Sequence, residues 1–197
     1  MKVAKITIGV AAALFFSAVS FGSVLTVGDV ELIENTSNQV IEFFVTGAGE
    51  TAPGLNFNIQ VGDGGTAGGG SIVGPAITGL DIITGTIFDG NNTGQGGLGA
   101  GTVPQVAGAT TTTNSGTVEP DGLLATVTFD TTGFGLGTGP FDLLLSDTLN
   151  GMTEFPFASD DLVVTDGRIL IVPVPEPAGL ILFLSGGACM FFRRRSR

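Results

Sequence analysis

Apolar and polar residues alternate along several short segments of this chain, and this period of two constrains the fold most. In residues 55–61, Leu, Phe, Ile and Val alternate with Asn and Gln, which gives an extended strand one apolar face. The same pattern puts Leu123, Ala125, Val127 and Phe129 on the core face of a second segment. No window outside the two termini shows the spacing of an amphipathic helix. The chain therefore predicts an all-β body.

Further short strands are predicted between turn-forming residues along the rest of the body. A third alternating segment comprises residues 40–45, and the other candidates are residues 24–33, 77–83, 86–88, 141–145, 153–157, 162–164 and 168–172. Strands in this number over residues 23–172 predict one domain, a two-layer β-sandwich of jelly-roll type with a core of Phe rather than Trp or Tyr. The glycine-rich stretches 62–74 and 90–101, and the polar run 110–116, are predicted to be mobile loops.

Composition excludes several kinds of chemistry. The 197 residues include no His, no Tyr, no Trp and one Cys, so Ser-His-Asp and Cys-His catalysis, His-ligated metals and internal disulfides are impossible. The net charge of −11 argues against nucleic-acid binding, which needs cations for the phosphates. A non-enzymatic binding or structural protein is predicted. A hydrolase that uses carboxylates such as Asp160 and Asp161 is the second alternative.

The N-terminus has the pattern of a secretory signal peptide, residues 1–22. Lys2 and Lys5 precede a fourteen-residue apolar run, and small residues follow it. Cleavage is predicted between Gly22 and Ser23, after export through the Sec translocon, with a cut after Ser20 as the alternative. An uncleaved anchor is disfavoured because the run is short for a membrane span.

The C-terminus, residues 173–197, has three ordered parts. Pro175, Glu176 and Pro177 are followed by fifteen uncharged residues and then by Arg193, Arg194 and Arg195. The apolar run predicts a short transmembrane helix, and the arginines should stop transfer on the cytoplasmic side. The body between the two apolar runs is then exported.

This tail resembles the PEP-CTERM sorting signal of Gram-negative bacteria. The resemblance implies that an exosortase recognises the tail at or near Pro175–Pro177, while the protein is an inner-membrane intermediate. It also implies that the body is then released toward the cell surface, or toward an extracellular matrix that contains exopolysaccharide. The alternative is an ordinary tail anchor that stays in the membrane.

The second half of the body resembles cohesin-like and carbohydrate-binding β-sandwiches. Residues 122–131, 141–145 and 161–171 carry this likeness as a pattern of strands that ends after an Asp-Gly turn. It implies the fold, and as an alternative function a binding module for a protein partner or a polysaccharide. Val40 and Phe44 point away from the predicted core face and are the first candidates for contact.

Oxygen-bearing side chains on two loops are candidate ligands for a metal ion. Asp89 and Asn91 lie on one loop, and Asp160 and Asp161 lie on another. Calcium prefers such ligands, and a calcium-stabilised body is one interpretation. The other is that Asp-Gly and Asn-Gly pairs form ordinary turns and that the acids are a solvated surface. No other cofactor is predicted.

Overall fold

The computed structural model describes residues 22–47, 50–158 and 161–174. Most of the predicted signal peptide, the sorting tail from Pro175 onward and Asp160 lie outside the described residues. Within the described ranges, no helix is long and apolar enough to cross a membrane. The elements are β1 (Val24–Ile33), β2 (Gln39–Thr46), β3 (Gly54–Val61), a 3-10 turn (Thr66–Gly68), β4 (Ala76–Asp81), β5 (Gly96–Val103), β6 (Val106–Thr112), β7 (Gly122–Asp130), β8 (Phe141–Leu144) and β9 (Val163–Val172). The all-β prediction is confirmed.

The strands form one continuous ladder that folds over into two layers. Its order is β4-β7-β2-β1-β9-β8-β3-β6-β5. Phe43 on β2 and Phe57 on β3 are separated by three strands in that order, yet their ring centroids lie 5.7 Å apart in an edge-on contact. The layer β4-β7-β2-β1-β9 therefore packs face to face on the layer β8-β3-β6-β5, and the core lies between them.

The two free edges of the ladder also approach each other. The Gln95 side chain, which precedes β5, accepts a hydrogen bond from Ile82 N at 2.9 Å and donates one to Leu80 O at 2.8 Å. The Ile77 amide on β4 donates to Pro104 O at 2.6 Å. These contacts cover both edges and hold the two layers together on that side.

The strands at the two ends of the described chain lie side by side. β1 and β9 run parallel and pair from Val24 with Val163 to Ile33 with Val172. Gly28, at a φ of 70°, interrupts the alternation of β1, so that Leu25 before it and Val30 and Leu32 after it all reach the core. Only glycine adopts that backbone conformation at little cost.

The core contains the apolar positions predicted for β3, since Leu55, Phe57, Ile59 and Val61 are fully buried. The prediction for β7 needs one correction. Phe43 pairs with Ala125 and Phe44 pairs with Leu123, so Leu124 is the extra residue of a β-bulge. Leu124 is fully buried, while Leu123 is only half-buried. A bulge breaks the period of two and cannot be read from alternation.

Several predicted loops and strands differ from the structure. Residues 96–103 and 106–112 are strands β5 and β6, although most of the first and the end of the second were predicted to be mobile loop. Residues 86–88 form a turn instead of a strand, and residues 153–157 form a single bridge at Glu154. The two predicted strands after residue 161 are one strand, β9.

Candidate binding face

The outer side of the second layer is covered in part by the chain that follows β8. This covering segment, residues 148–157, is fixed to β3 by side chains of β3 itself. Gln60 Oε1 accepts from Leu149 N at 2.8 Å, Asn58 Nδ2 donates to Met152 O at 2.8 Å, and Asn56 Nδ2 donates to Glu154 Oε1 at 2.9 Å. The polar side chains of β3, which alternate with its core residues, thus hold the covering segment against the outer side of the sheet.

The side-chain amides of Asn150, in the covering segment, and of Asn58, on β3, form a pair. Asn150 Nδ2 donates to Asn58 Oδ1 at 2.6 Å. Gly108 on the neighbouring strand β6 makes room for them, since a Cβ there would lie 2.2 Å from Asn150 Nδ2 and 2.5 Å from Asn58 Oδ1. The glycine in β6 therefore serves the placement of these two amides.

Two adjoining depressions flank the covering segment, with volumes of about 580 and 350 Å³. Asn56 on β3 and Thr110 on β6 line both of them, which makes them one surface. The other lining residues are Asn58, Thr93, Gly94, Gln95, Gly96, Gly97, Leu98, Thr111, Thr112, Asn150, Gly151, Met152, Glu154, Pro156 and Phe157. We call this surface the amide face.

Three of the residues that line the amide face have exposed apolar side chains. Phe157 is 93% exposed and has a φ of 64°, which is unusual for a residue with a large side chain. Met152 is 54% exposed and Leu98 is 38% exposed. Because this ring is hardly buried in the fold, Phe157 is a candidate for contact with another molecule.

The amide face is lined mainly by hydrogen-bonding groups that carry no charge. Glu154 is the one ionisable side chain among its lining residues, and its Oε1 is engaged by Asn56. Amides and hydroxyls there can donate and accept hydrogen bonds to an uncharged polar surface, and Phe157 can contact an apolar group beside it.

The exposure predicted for Val40 and Phe44 is confirmed, at 58% and 54%. They lie on β2, in the first layer, and so not on the amide face. Phe157 was not predicted as a contact residue, because residues 153–157 were predicted as a strand and no exposed position in it was identified. The Pro156 that precedes it is the one signal in the sequence against a regular strand there.

Asp89 and Asn91, predicted as calcium ligands, both take part in local hydrogen bonds. Asp89 Oδ2 accepts from Gly85 N at 3.2 Å. Asn91 Oδ1 accepts from the backbone of Asn114 and Ser115, at 3.1 and 3.2 Å, and so joins two loops. These are the contacts that turn-forming residues make.

Asp161 is exposed and lines, with Ser146, a cleft of about 340 Å³ that adjoins the amide face and shares Met152 and Glu154 with it. Its predicted partner Asp160 lies outside the described residues. Among those described, no group of three or more acidic, His or Cys side chains could hold a metal ion. The calcium site stays a prediction.

Asp166, beyond that cleft, fixes the end of β8. Its Oδ1 accepts from Leu145 N at 2.7 Å and from Ser146 N at 2.9 Å, and its Oδ2 accepts from the Ser146 hydroxyl. Burial alone would raise the pKa of Asp166, but these hydrogen bonds hold the pKa below its ordinary value.

The predicted cleavage position lies at the start of β1. Ser23 is 1% exposed, and both its backbone N–H and its hydroxyl donate to Glu50 Oε2, at 2.8 and 2.6 Å. Glu50 is itself 7% exposed. The sorting residues Pro175, Glu176, Pro177, Arg193, Arg194 and Arg195 lie outside the described residues and stay predictions.

Fold and site together describe an all-β sandwich with a polar, partly covered outer surface. No family model matches the chain, and a search of curated proteins gives no match. Solved structures similar to it include cohesins. One is the seventh ScaB type I cohesin from Pseudobacteroides cellulosolvens, with 13% identity, a TM-score of 0.49, and coverage of 79% of this chain and 96% of that one.

Two other cohesins are similar to the chain in the same range. The first is in the Coh-OlpC–Doc435 cohesin–dockerin complex from Clostridium thermocellum, with 11% identity, a TM-score of 0.48, and coverage of 78% and 96%. The second is the non-cellulosomal cohesin from the archaeon Archaeoglobus fulgidus, with 13% identity, a TM-score of 0.44, and coverage of 77% and 92%.

Proposed function

We propose that this protein is an exported, non-enzymatic binding module that holds a partner protein on the amide face. Phe157 carries the proposal, because its ring is 93% exposed at the lip of a depression lined by amides and hydroxyls. Protein interfaces place aromatic anchors beside hydrogen-bonding groups in this way. The covering segment is fixed to β3 by three hydrogen bonds, so the face is preorganised.

Site-specific photo-crosslinking tests the partner and its position together. A photo-reactive residue at position 157 is expected to crosslink one dominant surface protein in the native cell envelope, and the same group at position 136 is not. Leu136 is a matched control, because it is 57% exposed and lies in the loop between β7 and β8. F157A should abolish capture of that protein while L136A leaves it unchanged. Equal crosslinking from both positions would refute the assignment of the face.

A polysaccharide is a second candidate ligand, favoured by the lining of the amide face, in which Glu154 is the one ionisable side chain among the described residues. Amides and hydroxyls from Asn56, Asn150 and Thr110 match the hydroxyl groups of a neutral glycan, and Phe157 offers one apolar ring. Calorimetry of purified exopolysaccharide with the wild-type protein and with N56A distinguishes a glycan ligand from a protein partner. Saturable binding that N56A removes would favour the glycan over the protein partner.

Delivery to the cell surface is proposed from the sequence of the two termini. The signal peptide would direct export, and the tail from Pro175 would hold the protein at the inner membrane until an exosortase cleaves it near Glu176. Mass spectrometry of the protein from cells with and without the exosortase tests this route. Loss of residues 178–197 is expected in the first sample alone. An intact tail in both would leave an ordinary anchor as the explanation.

The predicted calcium site is retained as a proposal. Asp89 and Asn91 on one loop, or Asp160 and Asp161 on the other, would supply oxygen ligands to a structural ion. Calorimetric titration of the chelator-treated protein with calcium, repeated with D89N and D161N, is the direct measurement. Saturable binding lost in either variant would support the site.

A further inference from the structure

We infer that export leaves Ser23 as the first residue of the mature protein, and that its new α-ammonium group forms a buried ion pair with Glu50. The inference rests on the proposed export, and it selects the Gly22–Ser23 bond over the alternative cut after Ser20. It assigns to Glu50 the role of a receptor for the processed N-terminus.

The contact already present in the structure supports this pairing. Ser23 N lies 2.8 Å from Glu50 Oε2, and the Ser23 hydroxyl lies 2.6 Å from the same oxygen. In the unprocessed chain, that nitrogen is a peptide N–H with a single proton. Cleavage at this bond therefore creates a positive charge at hydrogen-bond distance from a carboxylate, without any movement of the fold.

Glu50 also lacks a cationic partner and a hydrogen-bond donor for Oε1 among the described residues, and an ammonium group would supply both. Its side chain is buried, and its Oε1 has no hydrogen-bond partner among the described residues. A buried carboxylate is costly unless it is paired with a cation and its lone pairs are satisfied. An α-ammonium has three N–H groups instead of one, so it can satisfy Oε1 as well as Oε2.

Gly22 occupies the side of Ser23 on which Oε1 lies. A Cβ on Gly22 would be 3.9 Å from Glu50 Oε1 and 3.0 Å from Asp161 O. Removal of Gly22 thus opens space beside the unpartnered oxygen. A cut after Ser20 would leave Phe21 and Gly22 in place and would put the charge two residues away from Glu50.

The chemistry of the cut balances without any further reactant. A signal peptidase hydrolyses the Gly22–Ser23 peptide bond with one water molecule. The leader leaves with a carboxylate on Gly22, and Ser23 keeps an amine that is protonated at neutral pH. Cleavage during translocation precedes folding, so the burial of Ser23 in the folded body does not obstruct the peptidase.

The sequence makes this N-terminus unusually easy to observe. The two lysines of the chain are Lys2 and Lys5, both within the leader. A protein that begins at Ser23 therefore has one primary amine, its own α-amine, whether or not the sorting tail is retained. An amine-reactive acetylating ester then reports on this group alone.

The experiment uses the exported protein as cells process it. Intact mass is first expected to place the N-terminus at Ser23, and a start at Phe21 or an uncut leader would overturn the inference. The folded protein is then treated with the ester, and its acetylation is expected to be at least about tenfold slower than in urea, which corresponds to ~1.4 kcal/mol of protection. Acetylation at the denatured rate would overturn the pairing, even if the cut is correct.

Two variants separate pairing from simple burial. E50Q should raise the acetylation rate of the folded protein toward the denatured rate, whereas E42Q, a change of the same kind at an exposed site on β2, should not. If E50Q fails to fold, a variant that starts at Gly22 provides the second readout. It keeps Glu50 but displaces the amine by one residue, so it should be acetylated at the denatured rate, and protection equal to that of the Ser23 form would contradict the pairing. None of these readouts depends on the amide face or the sorting tail, so their failure is distinct from failure of those proposals.

Discussion

At the scale of single residues, two glycines decide how closely β1 and β9 can approach. A Cβ on Gly167 would lie 1.9 Å from Gly28 O, within a distance that real Cβ atoms do not reach. Gly28 has the left-handed φ of 70° at the point where β1 changes its core-facing side. The parallel ladder between the two strands therefore requires a residue without a side chain at position 167.

We expect G167A to destabilise the protein by about 1–3 kcal/mol or more, because the new methyl group must push β1 and β9 apart. Urea denaturation measures this free energy of unfolding. G135A is the matched control, since Gly135 has no left-handed φ and a Cβ there would come no closer than 3.9 Å to a neighbour. Equal stability of the two variants would contradict the close approach.

Asp166 predicts a pH dependence of stability. Its pKa is lowered in the folded protein, so the unfolded chain binds the proton first as the pH falls. The stabilisation by its hydrogen bonds is then present at neutral pH and lost as the pH falls below about 4 toward the folded pKa. Urea denaturation from neutral to acidic pH should show D166N less stable at pH 7, with a shallower decline in acid.

D142N, a change of the same kind at an exposed position of β8, serves as the control for D166N. It should keep both the neutral stability and the acid decline of the wild type. If D166N instead declined as steeply as D142N in acid, the hydrogen bonds to Leu145 and Ser146 would not be the source of the dependence.

At the scale of elements, strands β2, β3, β5 and β6 show what the alternation of apolar and polar residues can and cannot predict. β2 and β3 carry enough large apolar residues for their core faces to be predicted from the sequence. β5 and the end of β6 are built from Gly, Ala and Thr, which have little apolar contrast, and their strand structure comes from pairing with neighbours. The amide face was not predicted either. Its position depends on the register of β3 against β6 and on the path of the covering segment, and neither can be read from alternation.

We expect β5 to exchange its amide hydrogens faster than β6. β6 pairs with β3 over seven consecutive residues, whereas β5 has two register shifts against β6. Fewer regular hydrogen bonds lower the free energy of local opening. Hydrogen–deuterium exchange with mass spectrometry of peptides from 96–103 and 106–112 measures the difference. Equal protection of both peptides would show that the ladder opens as one unit.

At the scale of the whole molecule, nearly all the charged side chains of the body are acidic. Residues 23–174 contain seventeen acidic residues and one arginine, a net charge of −16. That arginine, Arg168, forms a surface ion pair with Asp29 at 3.2 Å. Such a body repels itself, and the repulsion favours the unfolded chain in low salt. The same charge keeps separate copies apart in solution.

The melting temperature should therefore rise with sodium chloride, because salt screens the repulsion among the carboxylates. Thermal unfolding followed by circular dichroism over a range of salt concentrations measures the effect. Calcium chloride at equal ionic strength should give the same melting temperature if the acids are only a diffuse negative surface. A clearly larger rise with calcium would instead support the predicted calcium site.

The parallel pairing of β1 with β9 has a mechanical consequence. β1 begins at the end of the sandwich where β9 also begins, and the described chain leaves β9 at the other end. A load applied between Ser23 and Val174 would shear the whole ladder at once, so its hydrogen bonds must break together instead of one by one. In single-molecule stretching, we expect a higher rupture force along this axis than when the body is pulled from the β2–β7 edge, where the bonds would peel in sequence. A body of this design could bear tension between its two ends while its amide face stays intact.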